Sequence, residues 1–559
     1  PDWTCFDRFT LRVQYQYVSQ SAELLLAYDG QSRVLKKSIA EIDIVPPEHF
    51  GLFLQDNELY NYQKLTEQDN VDLAKAFPIA NLDIIHDFNW EIDGPSKENK
   101  YKKFKEKISD FHAQHLDNAI FKSLVSIKSS GFLSVPPASI SSVKEDSNKL
   151  LFGNQHTDTD AWQGMKKGPF KKTSFVNVHF FFILHEEDKT AAKALHDYLK
   201  EGLSYFRGLL PVTGIKFFTV SNFSIIFKDK ADPIPEIQEQ LSQRDFKPDV
   251  QYFALYLSPY ERHEKNKQLR EIYYKVKKLL LYKKIHSQVI VSQKVMAAGE
   301  AYKYSLPNIA VAILAKLNGI PWRIQTPIKD ELVVGVGAFK NVDSGVRYIG
   351  SAFSFQNNGQ FNEFDCFLSS DTDVLAGAIQ DAVVRFASVN NNPERLIIHF
   401  YKEMSYEEIK PILQKLHNLG LPIPVFIVSI NKTESSDIIA WDSDWNNLMP
   451  YSGTFVKIGK NRYLLFNNTR YDTIEHKSGD GYPFPVKLQI SCTKEELLTG
   501  NTSRDLIDQV YQFSRMYWKS VKQQHLPVTI KYPEMVAEIF PHFEGHDLPE
   551  FGKDKLWFL

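Results

Sequence analysis

The run YFALYL (252–257), followed by EKNKQLREIYYKVKKLLLYKK (264–284), QVIVS (288–292) and NIAVAILAKLNG (308–319), decides the fold. Six consecutive apolar residues read as a strand buried on both faces, because a half-exposed strand would alternate. The second segment spaces Leu269, Ile272, Tyr273, Val276 and Leu280 at three- and four-residue intervals and so reads as an amphipathic helix. A further apolar run and a second helix follow. Strand, helix, strand and helix in this order predict an α/β layer with a largely parallel sheet. Asn318-Gly319 marks the end of the last helix, where Gly319 is expected to supply a left-handed cap.

The same alternation extends outward. Upstream, Phe175–Leu184 predicts a strand, Ala191–Leu203 a helix and Ile215–Val220 another strand. Downstream, a second α/β unit opens at Leu332–Val336. It continues through a strand at Arg347–Phe355, a helix near Val374–Phe386, a strand at Arg395–Phe400, a helix at Tyr406–Leu419 and a strand at Pro424–Ile430. Short strands at Thr454–Ile458 and Tyr463–Phe466 and a helix at Ser503–Lys522 complete it. The first hundred residues differ. Leu11–Tyr17 and Glu23–Tyr28 predict a β pair closed by Asp29-Gly30, and Pro46-Pro47 ends that unit. A charged helix opens at KENKYKKFKEK (97–107) and is expected to reach about Phe121. Serines and Pro136-Pro137 give residues 131–150 the composition of a linker, and the glycine-rich loop 153–172 follows. We therefore expect a mixed α+β region over 1–150 and two α/β domains over 151–325 and 326–559.

Composition excludes several classes. The chain has 559 residues, 43% of them hydrophobic and 24% charged, enough for three or four globular domains. The 66 Lys plus Arg balance 68 Asp plus Glu, so a polyanion partner would need a local patch. Cys5, Cys366 and Cys492 form no CxxC pair, which argues against a disulfide scaffold or a zinc–cysteine site and fits a reducing cytoplasm. No apolar run approaches the roughly 18 residues that span a bilayer, so no membrane partner is expected. No charged segment followed by an apolar core opens the chain.

Familiar motifs are incomplete. Gly335-Val336-Gly337 follows a strand, but Lys340 stands where a dinucleotide fingerprint needs its third glycine. Gly453…Gly459-Lys460 has the wrong spacing for a phosphate loop, and Asn461 replaces the magnesium-binding hydroxyl. There is no GxSxG elbow and no HExxH pair.

One patch does carry chemistry. Between Glu261 and Lys303 stand eleven Lys or Arg against four Glu. Tyr273 and Lys277 are four apart and share a helix face. Gln288 begins the next strand, and Lys316 lies on the helix that would pack beside it. A phenol, two ammonium groups and an amide converging in this way suit a terminal phosphate, by neutralisation and directional hydrogen bonds.

These residues resemble the guide-end pocket of Argonaute proteins. Tyr273-Tyr274-Lys275-Val276-Lys277, Gln288-Val289-Ile290 and Asn308-Ile309…Lys316-Leu317-Asn318-Gly319 are similar to the MID-domain residues that hold a guide's 5′-phosphate. The resemblance implies that role for Tyr273, Lys277, Gln288 and Lys316. Ala312 stands where many relatives have a further lysine. The likeness continues through Leu332–Phe339, Pro393–Phe400, Tyr451-Ser452-Gly453-Thr454, Leu464–Tyr471 and Leu526–Pro533, which resemble a PIWI domain. It implies a Rossmann-like MID domain followed by a ribonuclease-H-like PIWI domain, with no complete PAZ domain in the remaining length. Trp557-Phe558-Leu559 resembles the end of prokaryotic relatives, which implies that the Leu559 carboxylate helps hold Mg2+ or Mn2+ at the guide phosphate.

Active members of that family cleave with metal ions held by a carboxylate set. Here the first acid falls at Gly337, the second near Asp373, the third at Tyr401 or Lys402 and the fourth near Glu534. The resemblance thus implies a binder of a short RNA or DNA guide and its complementary target, without cleavage of its own. A separate effector protein docking on the N-terminal region would complete a defence against plasmids or phages. The rival reading is a guided endonuclease in which Asp343, Asp365 or Asp371 rebuilds an unconventional metal site.

Overall fold

The structure, a computed structural model, describes residues 2–16, 20–66, 70–90, 98–127, 131–262, 264, 266–340, 347–362, 364, 366–368, 372–389, 393–432, 438–471, 476, 481–543 and 549–559. The chain forms two compact units. The first gathers Pro1–Ile140, Lys432–Lys460 and Thr469–Pro485; the second gathers Ser141–Asn431, Asn461–Asn468 and Val486–Leu559. Among the described residues no helix is long and apolar enough to cross a membrane.

In the first unit, β1 (Trp3–Gln16) and β2 (Ser21–Leu35) form the expected antiparallel ribbon, longer than the sequence pattern suggested. β3 (Leu52–Gln55), β4 (Glu58–Asn61) and β5 (Phe77–Pro78) make a small sheet beside a core of Leu35, Ile39, Phe50, Phe53 and Ile84. The charged helix is shorter than expected. α1 (Lys100–Phe111) passes into a wider turn at His112–Leu116, and Asn118 caps a new short helix at Ala119–Leu124 by accepting from Phe121 N at 2.9 Å. α1 is not solvated all round: Tyr101 is buried and donates to Pro483 O at 2.8 Å. Arg470 is held by Asp442 at 2.6 Å between the rings of Trp445 and Tyr451, a structural use of the Thr469-Arg470-Tyr471 segment.

The second unit contains the predicted α/β layers. β6 (Val178–His185), β7 (Ile225–Phe227), β8 (Gln251–Ser258) and β9 (His286–Val291) form a four-stranded parallel sheet in the order β7-β6-β8-β9. Both faces of β8 are buried, as its unbroken apolar run requires. Helices α2 (Lys189–Lys200), α3 (Ile234–Ser242), α4 (Lys267–Tyr282) and α5 (Leu306–Lys316) accompany this sheet. Ile215–Val220 does not form the expected strand; only Thr219 makes a bridge, to Phe180. The helix end at 318–319 also departs from expectation. Asn318, with φ +60°, takes the left-handed conformation, because its short polar side chain tolerates it. Gly319 is needed for space, since a Cβ there would stand 2.2 Å from Leu314 Cδ1.

A larger mixed sheet follows, with the ribonuclease-H-like arrangement. β10 (Glu331–Lys340), β11 (Arg347–Gln356) and β12 (Cys366–Leu368) are antiparallel neighbours, and β10 also pairs in parallel with β13 (Arg395–Phe400), which pairs in parallel with β14 (Val425–Lys432). β15 (Arg462–Leu465) and β16 (Val486–Cys492) are antiparallel and continue the sheet beyond β14. α6 (Thr372–Val389) and α7 (Tyr406–Asn418) pack their apolar faces on Leu332, Val334, Val336, Leu396 and Ile398. α8 (Gly500–Ser514) stops well before Lys522, and α9 (Val528–Ile539) begins just after Pro527, as expected for a proline at a helix entry.

Candidate nucleic-acid interface

The four residues singled out above come together as two bonded pairs. Asn266 caps α4 by accepting from Gln268 N at 2.9 Å, and this satisfies a free N–H at the start of the helix that carries Tyr273 and Lys277. Lys277 Nζ donates to Tyr273 Oη across 3.4 Å and lies 5.5 Å from the Tyr273 ring centre. α5 is apolar almost all round and is buried along its length, so Lys316 at its end is carried inside with it. Lys316 Nζ donates to Ser287 O at 2.8 Å and to Gln288 Oε1 at 2.7 Å, both on β9.

The burial of these ammonium groups is the notable feature. Lys277 is 3% exposed and Lys316 is 1% exposed. Neither forms an ion pair with a carboxylate among the described residues. Burial and then the neighbouring Arg262 guanidinium hold Lys277 down to about 7 from its ordinary 10.5. Burial, with Lys277 and Lys519 as like-charged neighbours, holds Lys316 well below the usual lysine range. Bringing an ammonium group out of water without a compensating charge is costly, and two in one place cost more. Such an arrangement is an electrostatic cradle for an anion.

Three further residues belong to the cluster. Arg262 pairs with Glu538 of α9 at 2.7 Å and lies 5.6 Å from the Tyr273 ring. Lys519, on the turn after α8, is half-buried; burial first, and then Arg262 and Lys277, hold it at about 8. In the sequence Arg262 is visible only as part of the charge excess over residues 261–303, and Lys519 and Glu538 lie far downstream with no motif around them. The C-terminal segment also reaches the cluster, with the Trp557 ring 5.7 Å from Lys277 Nζ. Leu559 is buried, and its N–H donates to Leu556 O at 3.2 Å.

Apart from the terminal carboxylate of Leu559, the oxygens that meet these lysines already have partners. Gln288 Oε1 and Ser287 O already accept from Lys316, and Glu538 is paired with Arg262. Among the described residues no group of three or more His, Cys, Asp or Glu is placed to hold a metal. An ion here would compete with four cationic side chains.

The other expected centre lies where β10 meets α9. A Cβ built on Gly335 would stand 2.1 Å from Thr529 O, and one on Gly337 would stand 2.7 Å from Ile530 O. The two glycines let α9 lie directly on the strand. Asp373 is exposed in the first turn of α6. Tyr401 N donates to Val336 O at 3.2 Å and so extends the ladder, while Lys402 turns to Glu408 at 2.8 Å. Glu534 lies 3.9 Å from Lys531 on its own helix. Asp343, Asp365 and Asp371 lie outside the described residues. His399, beside Gly335 in the register, is pushed to about 3 by burial and bonds Thr529 Oγ1 through Nδ1 at 2.8 Å, so it is a neutral core residue.

Comparison with known proteins supports the sequence resemblance. The Piwi domain profile matches residues 264–543, half of the chain. A Piwi protein of Archaeoglobus fulgidus is 26% identical over 318 residues, which cover 52% of this chain and 72% of that protein. The protein argonaute of Cereibacter sphaeroides is 21% identical over 446 residues, covering 71% and 56% of the two chains. Among solved structures, Clostridium butyricum Argonaute bound to a guide DNA and a 19-mer target DNA is similar with a TM-score of 0.67 at 16% identity, over 100% of this chain and 80% of that one. Marinitoga piezophila Argonaute in complex with a 5′-OH guide RNA gives 0.62 at 13% identity, over 96% and 79%. At these identities the structural likeness establishes the fold.

Proposed function

The chain belongs to the Piwi domain family, and from that premise we propose that it anchors a short guide strand by its 5′-phosphate and captures a complementary target without cutting it. The observation that carries the first half is the pair of buried, uncompensated ammonium groups, Lys277 on Tyr273 and Lys316 on Gln288. A phosphate dianion supplies the missing negative charge, and charge-assisted hydrogen bonds from lysine and tyrosine then hold it. Base pairing to the guide would supply specificity, with the protein contacting only the backbone.

Support for the second half comes from the β10–α9 contact. A metal-assisted phosphodiester cleavage needs several carboxylates converging on the reacting oxygens. Gly337 stands at the first such position and is closed by the backbone of α9, and Lys402 at the third is occupied with Glu408. A binder of this kind would act through a separate effector protein in cellular defence. The exposed apolar side chains Val13 and Tyr15 on β1, with Ile120 and Leu124 further along, support docking on the N-terminal region.

The test is to load the purified protein with 5′-phosphorylated RNA or DNA guides, add matched labelled target with Mg2+ or Mn2+, and follow retention and cleavage together. Guide-dependent retention with intact target is expected. Cutting at the matched site would overturn the silent reading and favour a guided endonuclease. No guide-dependent retention would overturn the anchor itself.

A further inference from the structure

We propose that Lys519 is the third ammonium group of the guide-phosphate site and that it neutralises the terminal phosphate in the place a divalent cation would otherwise take. The inference rests on the guide-anchor reading and adds a residue and a metal independence that the sequence resemblance did not imply.

The geometry begins with how the turn carrying Lys519 is pinned. Trp518 N donates to Tyr532 Oη at 2.9 Å, and Tyr532 Oη in turn donates to Met516 O at 3.0 Å. Two residues past Lys519, Val521 N donates to Asn308 Oδ1 at 2.9 Å, and Asn308 is on α5, the helix that ends in Lys316. Lys519 is therefore held between α9 and α5 by bonds on both sides of it. Its ammonium feels Arg262, Tyr273 and Lys277, and Lys316 feels it in turn. The Val521–Asn308 bond sets the turn of Lys519 beside the helix that carries Lys316, and its charge acts on both buried lysines.

Counting donors shows what it adds. An ammonium group has three N–H donors. Lys316 spends two of them on Ser287 O and Gln288 Oε1. Lys277 spends one, across 3.4 Å, on Tyr273 Oη. Among the described residues Lys519 has no hydrogen-bond or ion-pair partner, so all three of its donors are available. The groups facing it are cations, a phenol and the single carboxylate of Glu538, which Arg262 already holds at 2.7 Å. A phosphate dianion is the ligand this set lacks, whereas a divalent cation would meet four positive side chains with only the terminal carboxylate of Leu559 left to hold it.

The experiment compares 5′-phosphorylated with 5′-hydroxyl oligonucleotides of one sequence, on the full chain, in excess EDTA and in millimolar Mg2+. The wild type should prefer the phosphorylated strand to the same extent in both, within about twofold. Lys519→Met should lower that preference about tenfold, the loss of one charge-assisted contact, and Lys519→Arg should retain most of it. Melting curves of the variants establish that they fold, and Lys519→Gln replaces Lys519→Met if that variant does not. A wild-type preference that vanishes in EDTA, or one unchanged in Lys519→Met, would overturn the proposal while leaving the guide anchor standing. A wild type indifferent to the phosphate in both solutions would overturn the anchor reading, and this inference with it.

Discussion

A Cβ placed on Gly337 would stand 2.7 Å from the carbonyl oxygen of Ile530, and 3.0 Å from the amide nitrogen of Glu534. Both neighbours are backbone atoms of α9, which cannot swing aside as a side chain would. Restoring an acid at this position therefore requires the helix to lift from β10. We predict that Gly337→Ala costs about 1–3 kcal/mol, the usual penalty of overpacking, and that Gly337→Asp costs at least as much. Urea titration measures both. Gly337→Asp is also expected to leave a matched target uncut in Mn2+; wild-type stability together with cleavage would show that α9 yields and that the site needs only one acid.

This contact also shows which features the sequence displayed. The run YFALYL and the spacing of Tyr273 and Lys277 are local signals, and the strand and the paired side chains stand where they point. The order of strand and helix puts Gln288 and Lys316 on neighbouring elements, but nothing local says that the end of α5 bonds back onto β9. Gly335 and Gly337 fit no complete motif in the sequence; their reason lies in a helix far downstream, against which each lacks room for a Cβ. Arg262 and Glu538 meet across almost the whole matched domain, and Lys519 joins them from an unpatterned turn. Such long-range charge pairings leave no periodic trace in a single sequence.

Function and stability should oppose each other at Lys277. Its ammonium group is buried with no carboxylate of its own, so the empty protein bears the desolvation cost. Lys277→Met keeps the length of the side chain and removes the charge. We expect it to raise the melting temperature of the nucleic-acid-free protein by about 2–5 °C, and to reduce the preference for a 5′-phosphate at least tenfold. A lowered melting temperature would mean that the Lys277–Tyr273 contact contributes more to the fold than burial takes away.

Asp508 predicts a purely structural loss. It is buried on α8 and accepts from Ser147 Oγ and from Lys144 N at 3.2 Å, fastening the 144–148 segment to that helix. Burial raises its carboxyl above the usual range despite both donors. Asp508→Ala leaves those donors without an acceptor, at about 1–3 kcal/mol. Asp508→Asn keeps one oxygen and should cost less. Hydrogen exchange should quicken around residues 144–149 in the alanine variant; unchanged protection there would show that the segment is held by its other contacts.

The cluster as a whole predicts two slopes of opposite sign. In the empty site Lys277 is held at about 7 and Lys519 at about 8, against an ordinary 10.5. A bound phosphate dianion favours their charged forms, so above these values binding must draw protons from solution. The preference for 5′-phosphate over 5′-hydroxyl should therefore fall between about pH 7 and 9, by up to about tenfold per pH unit for each proton taken up. It should also fall below about pH 6, where the phosphate itself gains a proton. Stability of the empty protein runs the other way. Between about pH 7 and 10 the unfolded chain binds more protons at these lysines than the native one, so their contribution favours the native state increasingly as pH rises. Taking the ratio of the two oligonucleotides at each pH cancels the binding of the strand backbone, and melting curves over the same range give the second slope. A preference that stays level from pH 6.5 to 9 would mean that both lysines are already charged before the guide arrives.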